Sequence, residues 1–120
     1  VNVSDKEKTI VDCLDHLEYC GGISETAKAL WTARQEIDLE RLLHYAIKTK
    51  NGAVLKRLGY LLQKLQIKMS AELDEIIREN ISKGYSVLDI TLKKEGKHNH
   101  EWNLLVNVSD KKLLEWRDIY

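Results

Sequence analysis

Hydrophobic positions recur at helical spacing through the first two thirds of the chain and change to alternation near its end. Ile10, Val11, Leu14 and Leu17 keep the helical period. Ser4 followed by Glu7 fits a capping box at the start of that helix, and Gly21-Gly22 ends it. Ser24 is placed to cap a second helix carrying Ala27, Leu30 and Trp31 on one face. Asp38 caps a third, with Leu39, Leu42, Leu43, Ala46 and Ile47. Asn51-Gly52 is a turn signal, and a fourth helix follows from about Ala53 to Leu65. Ser70 caps a fifth with Leu73, Ile76, Ile77 and Ile81 inside.

After Gly84 the period changes. Tyr85 to Leu92 reads as strand or extended chain, and Lys93 to Glu101 as a polar loop around Gly96. Trp102, Leu104, Val106 and Val108 alternate with Asn103, Leu105 and Asn107, the period of a strand. Ser109 and Asp110 start a short last helix with Leu113, Leu114 and Trp116. The pattern predicts an α+β fold, mainly α. About five helices form a bundle, a small sheet comes from the C-terminal part, and a short helix closes the chain. Two strands alone are marginal, so they must pack on the helices or find a further strand. The letters VNVSDK occur at residues 1–6 and again at 106–111. Their continuations do not align, so each copy reads as a strand end joined to a helix N-cap rather than half of a duplication. Pairing of Val1 to Val3 beside Val106 to Val108 is expected to add a strand.

Length supports one domain over residues 1–120, with chain enough for one modest core. The start at Val1, inside a strand-like run, reads as a piece of a longer protein. Hydrophobic residues are 43% and charged residues 32% of the chain, which is ordinary for a globular domain, and no apolar stretch is long enough to span a bilayer. The net charge of zero hides an uneven distribution. Residues 1–40 hold nine acids and four bases; residues 41–71 hold seven bases and no acid. Such asymmetry points to an anionic partner. On a helical wheel of the fourth helix, Val54, Leu55, Leu58, Leu61, Leu62 and Leu65 share one face. Lys56, Arg57, Tyr60, Gln63 and Lys64 fall opposite. Arg41, His44, Tyr45 and Lys48 lie opposite the apolar stripe of the third helix. A hairpin through Asn51-Gly52 would bring these bases together. The candidate binding residues are therefore Arg41, Lys48, Lys56, Arg57, Tyr60, Lys64 and Lys68, contacting nucleic-acid phosphate or an acidic partner. The alternative is a solvated face neutralised by the acids of residues 1–40.

Other chemistry has weaker support. Cys13, His16 and Cys20 lie near one side of the first helix, and with His98 or His100 they would make a zinc set. Structural zinc usually draws on turn-borne ligand pairs, so core cysteines and no metal are expected. Two cysteines do not form a disulfide framework, and a reducing cytoplasm is the expected compartment. Asp12 and Asp15 read as solvated charges. No glycine-rich phosphate loop, nucleophile elbow or paired-carboxylate signature occurs, and no cofactor is expected.

Several stretches taken together resemble the AbiEi family, the antitoxin and transcriptional-regulator partner of nucleotidyltransferase-like toxins. Glu7-Lys8-Thr9 with Asp12 and Leu14 resembles the start of the family's C-terminal region, and Gly21-Gly22 follows at a similar place. VLKRLGYLLQKL at residues 54–65 is similar to the family's Arg-Leu-Gly-Tyr-Leu-Leu core. Tyr85, Leu88, Asp89, Gly96, Trp102, Leu104 and Asn107 resemble its closing pattern. The motif positions are thus Glu7, Asp12, Gly59, Asp89, Trp102 and Asn107, in an order that covers nearly the whole chain. Ile90 stands where the family often has proline, and the family's N-terminal winged-helix domain is not in this chain. The resemblance implies a non-enzymatic cytoplasmic antitoxin that counteracts a nucleotidyltransferase-like toxin, without requiring a stable complex, and supports repression of its operon. It implies as partners the toxin, DNA, and the winged-helix domain of a longer parent, and no membrane. Gly59, which weakens a helix interior by about 1 kcal/mol relative to alanine, is expected to admit another element at close range.

Overall fold

The computed structural model describes residues 5–119. The fold is α+β and mainly α. In chain order it has α1 (Lys6–Asp15), a 3₁₀ turn (Leu17–Tyr19), α2 (Ile23–Ala33), α3 (Leu39–Lys48), α4 (Gly52–Lys64) and α5 (Ala71–Asn80). Then come β1 (Ser86–Val87), β2 (Lys97–Asn99), β3 (Leu104–Val106), α6 (Asp110–Leu113) and a closing 3₁₀ segment (Glu115–Ile119).

The caps read from sequence hold for three helices. Asp38 accepts the amides of Glu40 and Arg41, Ser70 that of Leu73, and Ser109 that of Lys112. Asn51 is more than a turn residue: its side chain accepts the Ala53 amide and caps α4. The expected Ser24 cap is corrected. Ser24 lies inside α2, and its hydroxyl donates to the carbonyls of Lys112 and Leu113, tying α2 to α6. Gly22 occupies the N-cap of α2 with φ 91° and offers no side chain. The cap comes from afar: the Asp89 carboxylate accepts the Ile23 amide at 3.1 Å, a negative charge at the positive end of a helix. A Cβ on Gly22 would stand 2.8 Å from that carboxylate, so the glycine is required twice, by its backbone and by its neighbour.

Ser4, the Val1 to Val3 segment and hence the expected pairing with Val106 to Val108 lie outside the described residues. Glu7 is buried and accepts the Asp38 amide at 2.8 Å, so it joins α1 to the start of α3. α1 stops at Asp15, short of Gly21-Gly22, and the 3₁₀ turn carries the chain onward. A disulfide joins Cys13 to Cys20 across that change of direction, where the sequence reading expected unpaired thiols. Among the described residues no group of acids, histidines and cysteines is placed to hold a metal, and no helix is long and apolar enough to cross a membrane.

The sheet has order β1-β3-β2, with β1 parallel and β2 antiparallel to β3. It corrects the expected 93–101 loop, whose Lys97–Asn99 segment is a strand. Lys-His-Asn has little strand propensity; pairing with Leu104, Leu105 and Val106 makes it one. The core is a single cluster that runs from Ile10, Leu14 and Leu17 through Leu42, Leu58 and Leu62 to Trp102, Leu113 and Trp116. Its axis is α4, which packs against α1, α3, α5 and β1 and is buried without a break from Val54 to Leu62.

Candidate functional site

From Val54 to Leu62, α4 has no solvent face. The wheel of α4 placed Lys56, Arg57 and Tyr60 on one, and this is corrected: they are 1%, 4% and 2% exposed. A buried cation is tolerated only with hydrogen-bond partners, and both have them. The Arg57 guanidinium donates through Nη1 to the Leu14 carbonyl at 2.8 Å, and through Nη2 and Nε to the Val87 carbonyl at 3.0 and 3.3 Å. Leu14 lies in the last turn of α1, where carbonyls lack helical partners, so Arg57 caps one helix and anchors a strand at once. Lys56 Nζ donates to the Gly84 carbonyl at 2.8 Å and to Ser86 Oγ at 3.0 Å, fixing the entry to β1. Burial holds both cations below their ordinary pKa. Arg57 lowers Lys56 further, and Asp89, Asp15 and Glu18 act on Arg57 in the opposite sense. Burial pushes the Tyr60 phenol up to about 12, with Asp110 adding to the rise.

The remaining candidate cations lie outside the core and do not join these three in one surface. Arg41 is exposed and pairs with Asp5 at 3.2 Å, as the alternative of internal neutralisation expected. Tyr45 donates to the same carboxylate; that bond, ahead of others, holds the Asp5 carboxyl below the usual range. Lys64 pairs with Asp110 at 3.1 Å and stands 5.6 Å from the Tyr60 ring centre. Lys48 and Lys68 are exposed. Asp12 is exposed and paired with Lys8 at 3.1 Å.

Gly59 does admit another element. A Cβ there would lie 2.4 Å from Cζ3 of Trp102, so the indole rests directly on the α4 backbone. Trp102 Nε1 donates to Gln63 at 2.9 Å, Gln63 donates to Glu101 at 3.0 Å, and Arg78 lies 4.5 Å from the indole ring centre. Arg78 also bridges Asp74 and Glu101, each at 2.8 Å. Its hydrogen bond, followed by that of Gln63, holds the Glu101 carboxyl below the usual range. Over this network opens a cleft of about 400 Å³ between α4 and α5, with Met69 and Ile67 on its wall. Its chemistry is a charge-balanced rim over an aromatic floor, suited to contact rather than proton transfer.

Asp89 and Asn107 form a second junction. The Asp89 amide donates to the Asn107 side-chain oxygen at 3.0 Å, and Asn107 Nδ2 returns bonds to the carbonyls of Asp89 and Lys93 at 2.8 and 2.9 Å. Thr91 donates its amide and hydroxyl to the same Asp89 carboxylate that caps α2.

One cluster escaped the sequence reading. Tyr85 is 45% exposed, its ring centre lies 4.5 Å from that of His98 and 5.7 Å from that of His100, and its hydroxyl is hydrogen-bonded to His100. The spacing of the two histidines two apart is the signal that a strand assignment for 97–99 would have exposed. Among known proteins, no family model, no curated protein and no solved structure matches the chain significantly.

Proposed function

We propose that this chain is an AbiEi-like antitoxin region that counteracts a nucleotidyltransferase-like toxin and supports repression of its own operon. It acts by contact, not by catalysis. One observation supports the reading above others. The residues that carry the resemblance are scattered along the sequence, yet Glu7, Gly59, Asp89, Trp102 and Asn107, with Arg57 of the 54–65 stretch, each hold a junction between separate elements; Asp12 alone of the six motif positions does not, being exposed and paired with Lys8 within α1. Letters that recur as a pattern because the fold needs them would behave in this way. The motif then specifies the scaffold, and contact with toxin or DNA falls to exposed groups, among them Lys48 and Lys68.

Co-expression tests it. A nucleotidyltransferase-like toxin encoded beside this gene is induced with and without the full chain. Recovery of growth is expected when the chain is present. Continued arrest beside a folded, well-expressed chain overturns the reading.

A second reading, a protein-interaction or dimerisation module of a transcriptional regulator, draws on a groove of about 320 Å³ between α3 and α5. Leu43, Ile47, Leu73 and Ile76 line it, and Ile47 is 38% exposed. Sedimentation of the chain alone and with an added winged-helix domain of an AbiEi-type regulator, before and after Ile47→Glu, tests this: association lost in the variant supports it, and no association in either case rejects it.

A further inference from the structure

We infer that the outer face of the small sheet is a binding platform for single-stranded nucleic acid, with Tyr85, His98 and His100 as the stacking surface. The inference goes beyond the antitoxin reading and does not rest on it.

The geometry begins with register. Val87, Leu105 and His98 are aligned partners across the three strands. Side chains two apart on a strand share a face, so Tyr85 joins Val87 and His100 joins His98 on this row. Leu104, the neighbour of Leu105, is fully buried, which places the opposite face on the core. The outward face therefore gathers three rings, two of them edge-on to Tyr85 at 69° and 75°. The hydrogen bond between Tyr85 and His100 holds the phenol in place. Lys56, from below, grips the Gly84 carbonyl immediately before Tyr85. The platform is thus seated on the interior polar network and preformed before any ligand arrives.

Charge selects the occupant. From Lys83 to His100 the exposed full charges are Lys83, Lys93, Lys94 and Lys97 against Glu95 alone; the other acid, Asp89, is buried and committed. Among the described residues no ion pair engages any of the four lysines. An acidic protein would satisfy the lysines but has no use for three exposed rings. A duplex would satisfy the lysines but hides its base faces. Lys97 pairs with Val106 on the row of buried Leu104, so it stands on the other side of the sheet from the rings, and the charge on offer is that of Lys83, Lys93 and Lys94. A single strand uses rings and charge together, stacking bases on the one and laying phosphates toward the other.

Fluorescence anisotropy of the full chain with a labelled oligothymidine of about 12 nucleotides tests the proposal. Saturable binding at low salt is expected, at least about tenfold tighter than to a duplex of the same length. Tyr85→Ala should weaken it about tenfold or more, while Tyr85→Phe, which keeps the ring but loses the hydrogen bond to His100, should weaken it severalfold less than Tyr85→Ala does. Lys83→Glu with Lys94→Glu should weaken it and reduce the salt slope by roughly two. Circular dichroism melts of each variant confirm that it is folded. Absence of binding, equal affinity for duplex, indifference to Tyr85→Ala in a folded variant, or equal binding of polyglutamate would each overturn the proposal. The last outcome would indicate an acidic protein partner. Antitoxicity is scored separately in the same variants, so failure here leaves the growth test standing.

Discussion

The chain carries two sets of cations around the sheet, and they live in opposite circumstances. Lys56 and Arg57 lie inside, each hydrogen-bonded to backbone carbonyls or a hydroxyl of neighbouring elements. Lys83 and Lys94 lie outside, exposed and in no ion pair among the described residues. The inner set resembles a binding motif on a helical wheel yet serves architecture. The outer set sits in chain that reads as loop yet has the free charge a ligand needs. A basic residue becomes a candidate for binding only when its hydrogen bonds are not already spent within the fold.

The contrast can be broken most severely at Arg57. Arg57→Ala leaves the Leu14 and Val87 carbonyls without their partner and opens a void, so a loss of about 4 kcal/mol is expected in urea unfolding. A loss under about 1 kcal/mol would mean that Arg57 is not the strut described. Tyr60 gives a pH-resolved version. Its folded pKa of about 12 lies above its ordinary value of 10.0, so the folded state keeps a proton that the unfolded chain releases. Stability is then full below pH 10 and falls by about 2 to 3 kcal/mol as pH rises to 12. Tyr60→Phe should remove that fall. Lys56 has the opposite sign: its pKa is lowered, so stability rises with pH below the ordinary lysine value.

Gly59→Ala sets a methyl against a pinned indole. Overpacking of about 1 to 3 kcal/mol opposes about 1 kcal/mol of helix propensity, and a net loss of about 1 kcal/mol is expected. A double-mutant cycle with Trp102→Leu should show positive coupling, since the smaller side chain makes room. The smallest effect belongs outside. Lys83→Glu and Lys94→Glu should each change stability by less than about 0.5 kcal/mol, and a larger loss would show that these lysines also support the fold.

Much of this architecture was legible in the sequence, because the information was local. Asp38, Ser70 and Ser109 cap the helices that their own side chains start, and the apolar period of residues 10–17 and 54–65 marks the faces that meet the core. Gly59 inside a helical run signalled a close approach, and Trp102 supplies it. Other features were set by partners far away in the chain. α2 takes its cap from Asp89, 66 residues on, so Ser24 was free for another task. Lys97–Asn99 became a strand because β3 offered a ladder, not because its residues favour one.

The basic stripe shows the division most clearly. The sequence by itself determined that α4 is a helix, that one side of it is leucine-rich, and that Lys56, Arg57 and Tyr60 lie opposite. Only the tertiary structure decided that this opposite side is also interior, because a wheel records the angle between side chains and not what stands beyond them. With α1, α3, α5 and β1 packed around one helix, its cations face the carbonyl ends of neighbouring elements instead of water. The same packing leaves Tyr85, His98 and His100 together at the surface, from positions fifteen residues apart.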